Sequence, residues 1–451
     1  MSAHAPVSFH SRLADAVTAA LGVGEGVVRV VVPAPGLDPL AWLAERPSGT
    51  RRYWRARDGS DASAVWGVAD AITADGLDEL KDQLSPRLAA LPPEARYYGA
   101  ARFDAGGPVA PEWEAFGRVS FGLPRFEVRS TPEGTVLACH VTPADRADRR
   151  ALDADLALLA APLPGGDGRA EGAPPILAGA GATERTDTPD RAEWERSIAH
   201  ALDAFRAGTL DKVVLARRSV FTATAVPDSM AVPGILKNVA PACYHVVVEA
   251  GDTAFVSATP ERLFRLAGGR LETEAVAGTR PGDAADTLAA DEKDRREHAL
   301  VVDDLRARLA PLAAALDVAE VPRLLTLRSR VHLRTPIEAQ PRAGVGALDL
   351  LAALHPTPAV GGTPREAARE AIAVWEGFDR GLYAGPVGWV GRDAEGGEAA
   401  EFAVGIRSAL LQPGRAALFA GAGIVPGSEA EAEWDEVEGK MSDLGGALGL
   451  V

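Results

Sequence analysis

Cysteine is nearly absent from this chain, with only Cys139 and Cys243 among 451 residues. No Cys-x-x-Cys or Cys/His spacing suggests zinc. So few thiols fit a reducing compartment, although two cysteines can in principle pair. Long apolar runs are also missing, and none approaches the roughly 20 residues that a membrane helix needs. The start, MSAHAPVSFHSRLADAVTAALG, lacks the basic segment and apolar core of a signal peptide. The expected location is cytoplasmic, with no membrane partner. Positive charge is in deficit, with 47 Lys and Arg against 63 Asp and Glu and a net charge of −16. That argues against non-specific nucleic-acid binding, which needs a basic surface. It leaves room for an anionic small ligand in a local basic pocket. No G-x-G-x-x-G follows a first strand, no P-loop signature is present, and no short-period repeat is visible.

What is present is ordinary globular material, 47% hydrophobic and 24% charged. The length suits one large domain or two ordinary ones. Residues 1–160 read as a strand-rich N-terminal part with few helices and no catalytic cluster; Cys139 and His140 fit core packing there. Residues 161–190, rich in Gly, Pro and Ala and without periodicity, read as a loop or linker. Residues 191–451 read as the catalytic region, integrated with the rest into one fold. It opens on an amphipathic helix closed by Gly208. Strands then come in antiparallel-looking runs around long helices, one spanning about 287–316. The pattern predicts an α+β fold with large sheets, not a Rossmann or barrel layout.

Several residues in this region suit acid–base or metal chemistry. Lys212 lies in the apolar run KVVLAR; on a buried strand face, desolvation makes a lysine a usable base. A solvated strand face is the plainer alternative on pattern alone. Glu261 follows Pro260 at a strand–turn–strand junction, where burial would keep it protonated as an acid. Pairing with Arg262 or Arg265 at the surface is the plain alternative. Glu297 points near an apolar helix face, with Leu300 and Val301 one turn on. Glu436 and Lys440 are four apart on the last helix, as an exposed ion pair or as a metal ligand beside an anion-binding lysine. Two carboxylates from separate helices could hold one Mg²⁺. His332 sits in a strand, His355 opens a turn, and Arg407, read as lying within a strand, suits a substrate carboxylate or an ion pair with Glu401. The glycine-rich GAGIVPGS lets backbone approach a ligand.

Taken in order, KVVLAR, SATPERL, EAVAGTRPG, EHALVVDDL, VHLRTPI, LHPTPAVGGTP, YAGPVGW, EFAVGIRSALL, GAGIVPGS and EWDEVEGKM closely resemble the chorismate-utilising enzymes. That family includes isochorismate, salicylate, anthranilate and aminodeoxychorismate synthases. The resemblance is dense from about Asp190 to Leu448. It is weaker before that, where RYYGAARFD and GRVSFGLPRFEV are similar to the menaquinone-pathway isochorismate synthases. It implies the anthranilate synthase component I-like fold, a large two-lobed antiparallel β-sheet unit with helices around it. It implies Lys212 as the base that activates water and Glu261 as the acid at the C4 hydroxyl. Glu297 and Glu436 correspond to Mg²⁺ ligands that hold the ring carboxylate of chorismate. Tyr383 and Arg407 correspond to the grip on the enolpyruvyl carboxylate, helped by Gly423 and Lys440. Gly278 and Thr279 belong at the ring carboxylate, His332 lines the ring, and Ala359 belongs with the substrate-binding set.

Two positions separate the subfamilies. Some aminodeoxychorismate synthases carry a ring-attacking lysine before the Gly-Thr; here that place is Ala277. Ammonia-using members generally lack a lysine at position 212. Water is therefore the expected nucleophile and isochorismate the expected product, for menaquinone or siderophore biosynthesis. A salicylate synthase, which goes on to eliminate pyruvate, and a non-catalytic chorismate-binding protein are the competing readings. Family members are often monomers.

Overall fold

Valine- and alanine-rich runs such as KVVLARRSVF and TAFVSAT cannot leave their side chains in water, and they pair instead. The computed structural model of the chain describes residues 8–161, 182–223, 228–281, 288, 291–326 and 330–450. Within these residues twenty strands are joined by hydrogen bonding into one continuous sheet, and every pairing is antiparallel.

The sheet has two lobes. In the first, strands Ala182–Thr188, Lys212–Ala223, Arg415–Ile424, Ser408–Gln412, Thr253–Thr259, Tyr244–Ala250, Arg52–Arg55 and Ala62–Ala74 lie side by side. In the second, Arg96–Ala101, Pro386–Arg392, Glu398–Val404, Arg262–Ala267, Arg270–Pro281 and Arg330–Pro341 do the same. The lobes join through two long strands. Strand Ala62–Ala74 bulges between Val68 and Asp70, next to Gly67 at φ 70°. Its partner Val119–Thr131 pairs at one end with Arg96–Ala101 and at the other with Gly134–Val141. A bulge of this kind bends and twists a strand enough to serve two sheets.

The chain also crosses between lobes at a second place. Strand Thr253–Thr259 pairs with Ser408–Gln412, while the next strand, Arg262–Ala267, pairs with Glu398–Val404. Both segments therefore change lobe together, through Pro260–Glu261 on one and Gly405–Arg407 on the other. Arg407 thus lies in a tight connection at φ 49°, not inside a strand as the sequence pattern suggested. Its apolar neighbours imitate a strand on both sides of the turn.

Helix Glu292–Leu309 packs on strand Arg270–Pro281, and helix Ala430–Leu448 on strand Arg415–Ile424. The first begins at Asp291, whose side chain accepts from the Asp294 amide; the second ends at Gly449 in the left-handed region. Trp113, Trp194, Phe255, Phe264 and Phe402 are almost wholly buried in one core. Each such side chain contributes about 1.5–3 kcal/mol by leaving water.

Two further expectations are corrected. Within 161–190, residues 182–188 form a strand along Lys212–Ala223; its polar residues suit a sheet border, which hides the usual alternation. Residues 162–181 lie outside the described residues. The long helix stops at Leu309, and Ala313–Val318 pairs with Arg330–Pro341. Alanine favours helix, and sheet pairing overrides that preference here. Cys139 and Cys243 are both buried and unpaired, and His140 Nδ1 lies 2.9 Å from the Pro124 carbonyl. Among the described residues no helix is long and apolar enough to cross a membrane.

Candidate active site

The crossing of the lobes, strand Lys212–Ala223 and the two helices enclose a cavity of about 230 Å³. Pairing between Lys212–Ala223 and Arg415–Ile424 places Gly421 opposite Ala216 and Gly423 opposite Val214. At neither glycine does a side chain fit unless its neighbours move. A Cβ on Gly423 would lie 2.3 Å from Glu297 Oε1, and one on Gly421 would lie 2.9 Å from the Tyr383 hydroxyl. Lys212 is fully buried at the start of its strand, and its Nζ donates to Glu297 Oε1 at 2.9 Å. The solvated strand face is thereby excluded.

Glu261 is also buried, and it pairs with neither Arg262 nor Arg265; Arg262 bonds Glu272 at 2.8 Å instead. Burial pushes the Glu261 carboxyl up to about 8, and the nearby charge of Glu274 adds to this against Lys212 and Lys440. At neutral pH it carries its proton. Its own amide donates to Thr259 Oγ1 at 3.2 Å, and its carbonyl accepts from the Val404 amide at 3.1 Å, which locks the turn.

The helices bring paired charges to the opposite side. Glu436 Oε1 lies 2.6 Å from Lys440 Nζ, which also donates to the Gly421 carbonyl at 2.8 Å. Burial pushes Glu436 up, but Lys440, Arg330 and Lys293 outweigh it, and its pKa falls below the ordinary glutamate value. One turn earlier on each helix, Lys293 Nζ lies 3.0 Å from Glu433 Oε1. Asp294 accepts from Arg280 Nε at 2.7 Å. His332 stands opposite Thr279 across the sheet, and burial, with Arg407 and Lys440 adding to it, pushes its imidazole down to about 3. Arg407 meets Asp443 at 2.9 Å rather than Glu401.

Of the residues singled out from the sequence, Glu261, Gly278, Glu297, His332 and Ala359 line the cavity. Tyr383, Arg407, Gly423, Glu436 and Lys440 line it as well. Lys212 stands behind Glu297. The Thr279 side chain lies outside the described residues; its backbone follows the bulge at Gly278, which has φ 73°. His355 lies elsewhere, 3.1 Å from the Phe103 carbonyl. Sequence reasoning missed Lys293, Asp294, Glu433 and Arg280. The signal was spacing: Lys293 precedes Glu297 by four residues and Glu433 precedes Glu436 by three, so each pair shares a helix face. Among the described residues, no group of three or more His, Cys, Asp or Glu is arranged to hold a metal ion.

Residues 16–449 match the family model described as "Chorismate binding enzyme", and the chain belongs to that family of enzymes. Particular relatives narrow the comparison. The salicylate biosynthesis isochorismate synthase of Pseudomonas aeruginosa is 37% identical over 92% of this chain and 84% of its own length. The isochorismate synthase MenF of Escherichia coli is 32% identical over 92% of this chain and 93% of its own. The solved structure of MenF, described as the menaquinone-specific isochorismate synthase, superposes with a TM-score of 0.81. It is 29% identical in that comparison, covering 98% of this chain and 100% of the other.

Proposed function

We propose that this enzyme is an isochorismate synthase, an isomerase that adds water at C2 of chorismate and releases the C4 hydroxyl. The observation that carries the reading is a buried, protonated glutamate lining the cavity, with a buried lysine bonded to Glu297 on the same cavity wall. A base and an acid that must act at one pH need environments that separate their protonation states. In the proposed cycle Lys212 is the base that takes a proton from water as its oxygen bonds to C2. The ring double bonds shift, the C4–O bond breaks, and Glu261 gives its proton to the departing hydroxyl, which leaves as water. The chain ends with a lysine ammonium and a glutamate carboxylate, and proton exchange with solvent resets both. No redox cofactor enters the balance.

Arg407 and Tyr383 are assigned to the enolpyruvyl carboxylate, with Lys440 and the backbone at Gly423 beside them. Gly278 and Thr279 are assigned to the ring carboxylate, and neutral His332 and Ala359 to the ring. Mg²⁺ takes hard oxygen ligands, often one or two carboxylates completed by substrate and water. Glu297 and Glu436 meet that requirement from two helices, and each has a lysine Nζ within hydrogen-bond distance, Lys212 at 2.9 Å and Lys440 at 2.6 Å. Bound there, Mg²⁺ would supply positive charge at the ring carboxylate. The relatives' names divide between menaquinone-specific synthesis and salicylate biosynthesis, and isochorismate is named in both.

Incubation with chorismate and Mg²⁺, followed by chromatography, tests the proposal. Isochorismate without salicylate is expected. Salicylate with pyruvate would replace it by the salicylate synthase reading, and no turnover of chorismate would overturn both.

A further inference from the structure

We propose that Arg57 is a positioning residue for the acid, clamping the Pro260–Glu261 turn to Glu274 on a neighbouring strand. The inference rests on Glu261 being the general acid. Arg57 belongs to the turn between strands Arg52–Arg55 and Ala62–Ala74, some two hundred residues from the site in sequence. Its Nη1 donates to the Pro260 carbonyl at 3.1 Å and also to Glu274 Oε1, while Nη2 donates to Glu274 Oε2 at 2.9 Å. One guanidinium fork thus joins the backbone just before the acid to a carboxylate across the sheet. The planar fork holds both partners in one orientation, which a lysine cannot do.

Glu274 is no ordinary ion-pair partner. Its side chain is 1% exposed, and Arg334 Nε also donates to it at 2.5 Å. Burial pushes its carboxyl up, but Arg57, Arg334 and Arg262 outweigh this, and it stays below the ordinary range and charged. The groups that bear on Glu261 are Glu274 from strand Arg270–Pro281, Lys212 from its own strand, Lys440 from the C-terminal helix, and Tyr383. Glu274 is the anion among them, and an anion nearby favours the protonated acid. Arg57 does two things at once. It fixes the backbone that aims Glu261, and it fixes the carboxylate whose field keeps Glu261 protonated. Arg57 does not line the cavity, so its effect falls on the chemical step and not on substrate binding.

The test uses the full chain with Mg²⁺ and chorismate and compares Arg57→Ala, Arg57→Lys, Glu274→Gln and Glu261→Gln. Misplacing a catalytic group by about an ångström costs about a hundredfold, so Arg57→Ala should lower kcat about tenfold to a hundredfold, with KM within about twofold. Arg57→Lys should recover part of the loss. Glu274→Gln removes the anion, lowers the Glu261 pKa and moves the alkaline limb of the kcat profile down by about half a unit to one unit. Arg57→Ala leaves Glu274 less neutralised and moves that limb up. A wild-type kcat and limb in both variants, or a change in KM alone, overturns the proposal. If Arg57→Ala does not fold, the limb of Glu274→Gln decides. Glu261→Gln separates the two levels. If it still turns over, the acid assignment fails whatever Arg57 does; if it is inactive, the Arg57 and Glu274 results judge the clamp alone.

Discussion

The sheet side and the helix side of the cavity neutralise buried charge in opposite ways. On the helix side each lining glutamate has a lysine, Glu297 with Lys212 at 2.9 Å, Glu436 with Lys440 at 2.6 Å and Glu433 with Lys293 at 3.0 Å, while Asp294 has Arg280 at 2.7 Å. On the sheet side no cation is within ion-pair distance of Glu261 among the described residues, and a proton does the neutralising. A lysine can be exchanged for another cation without disturbing the carboxylate, whereas a proton can be delivered to a leaving group. The difference in chemistry between the two sides follows from that difference in counter-charge.

Removing the transferable proton should break the contrast most severely. Glu261→Gln and Lys212→Met should each lower kcat by about 10²–10⁴-fold. Chorismate binding, followed by calorimetry, should survive. Near-normal turnover in either variant would remove it from the acid–base pair. On the helix side, Glu436→Gln should weaken Mg²⁺ binding by about tenfold or more, read by titration without substrate. An unchanged affinity would show that Glu436 does not hold the metal.

The pH profile sharpens the comparison. The Glu261 pKa is raised to about 8, so its proton is present below that pH and lost as pH rises through it. On the alkaline side kcat should therefore fall about tenfold per pH unit. In Glu274→Gln the fall should begin earlier. The smallest change probes the space between the two sides. Gly423→Ala forces a methyl against Glu297 and Lys212, and overpacking of that kind costs about 1–3 kcal/mol, measurable by denaturant unfolding.

The sequence carried more of the sheet side than of the helix side. Lys212 and Glu261 sit in apolar runs where any charge stands out, and the order of the surrounding motifs gave them a family context. Lys293 and Glu433 sit on charged helices, where a lysine or glutamate looks like one more solvated residue. Only the fold turns those faces inward. Arg407 was found as a residue but misplaced, because the turn that carries it is flanked by strand-like sequence on both sides. The contribution of Arg57 could not be read at all. It depends on strand Arg52–Arg55 lying beside Tyr244–Ala250, a contact with no local signature. Ala182–Thr188 was hidden for a similar reason, since a polar strand on a sheet border lacks the alternation that marks a strand.

Strand Arg52–Arg55 between Ala62–Ala74 and Tyr244–Ala250, and strand Arg96–Ala101 against Pro386–Arg392, also bear on how the molecule is made. Partners separated by hundreds of residues cannot meet until the later strand has emerged from the ribosome. Loop closure must come before any gain from such pairings, which slows folding and leaves strand edges open in the meantime. The early strands must wait for Tyr244–Ala250 and Pro386–Arg392 to be synthesised. Severing the chain near residue 190 would therefore leave two pieces with unsatisfied edges, not a catalytic half and a dispensable one.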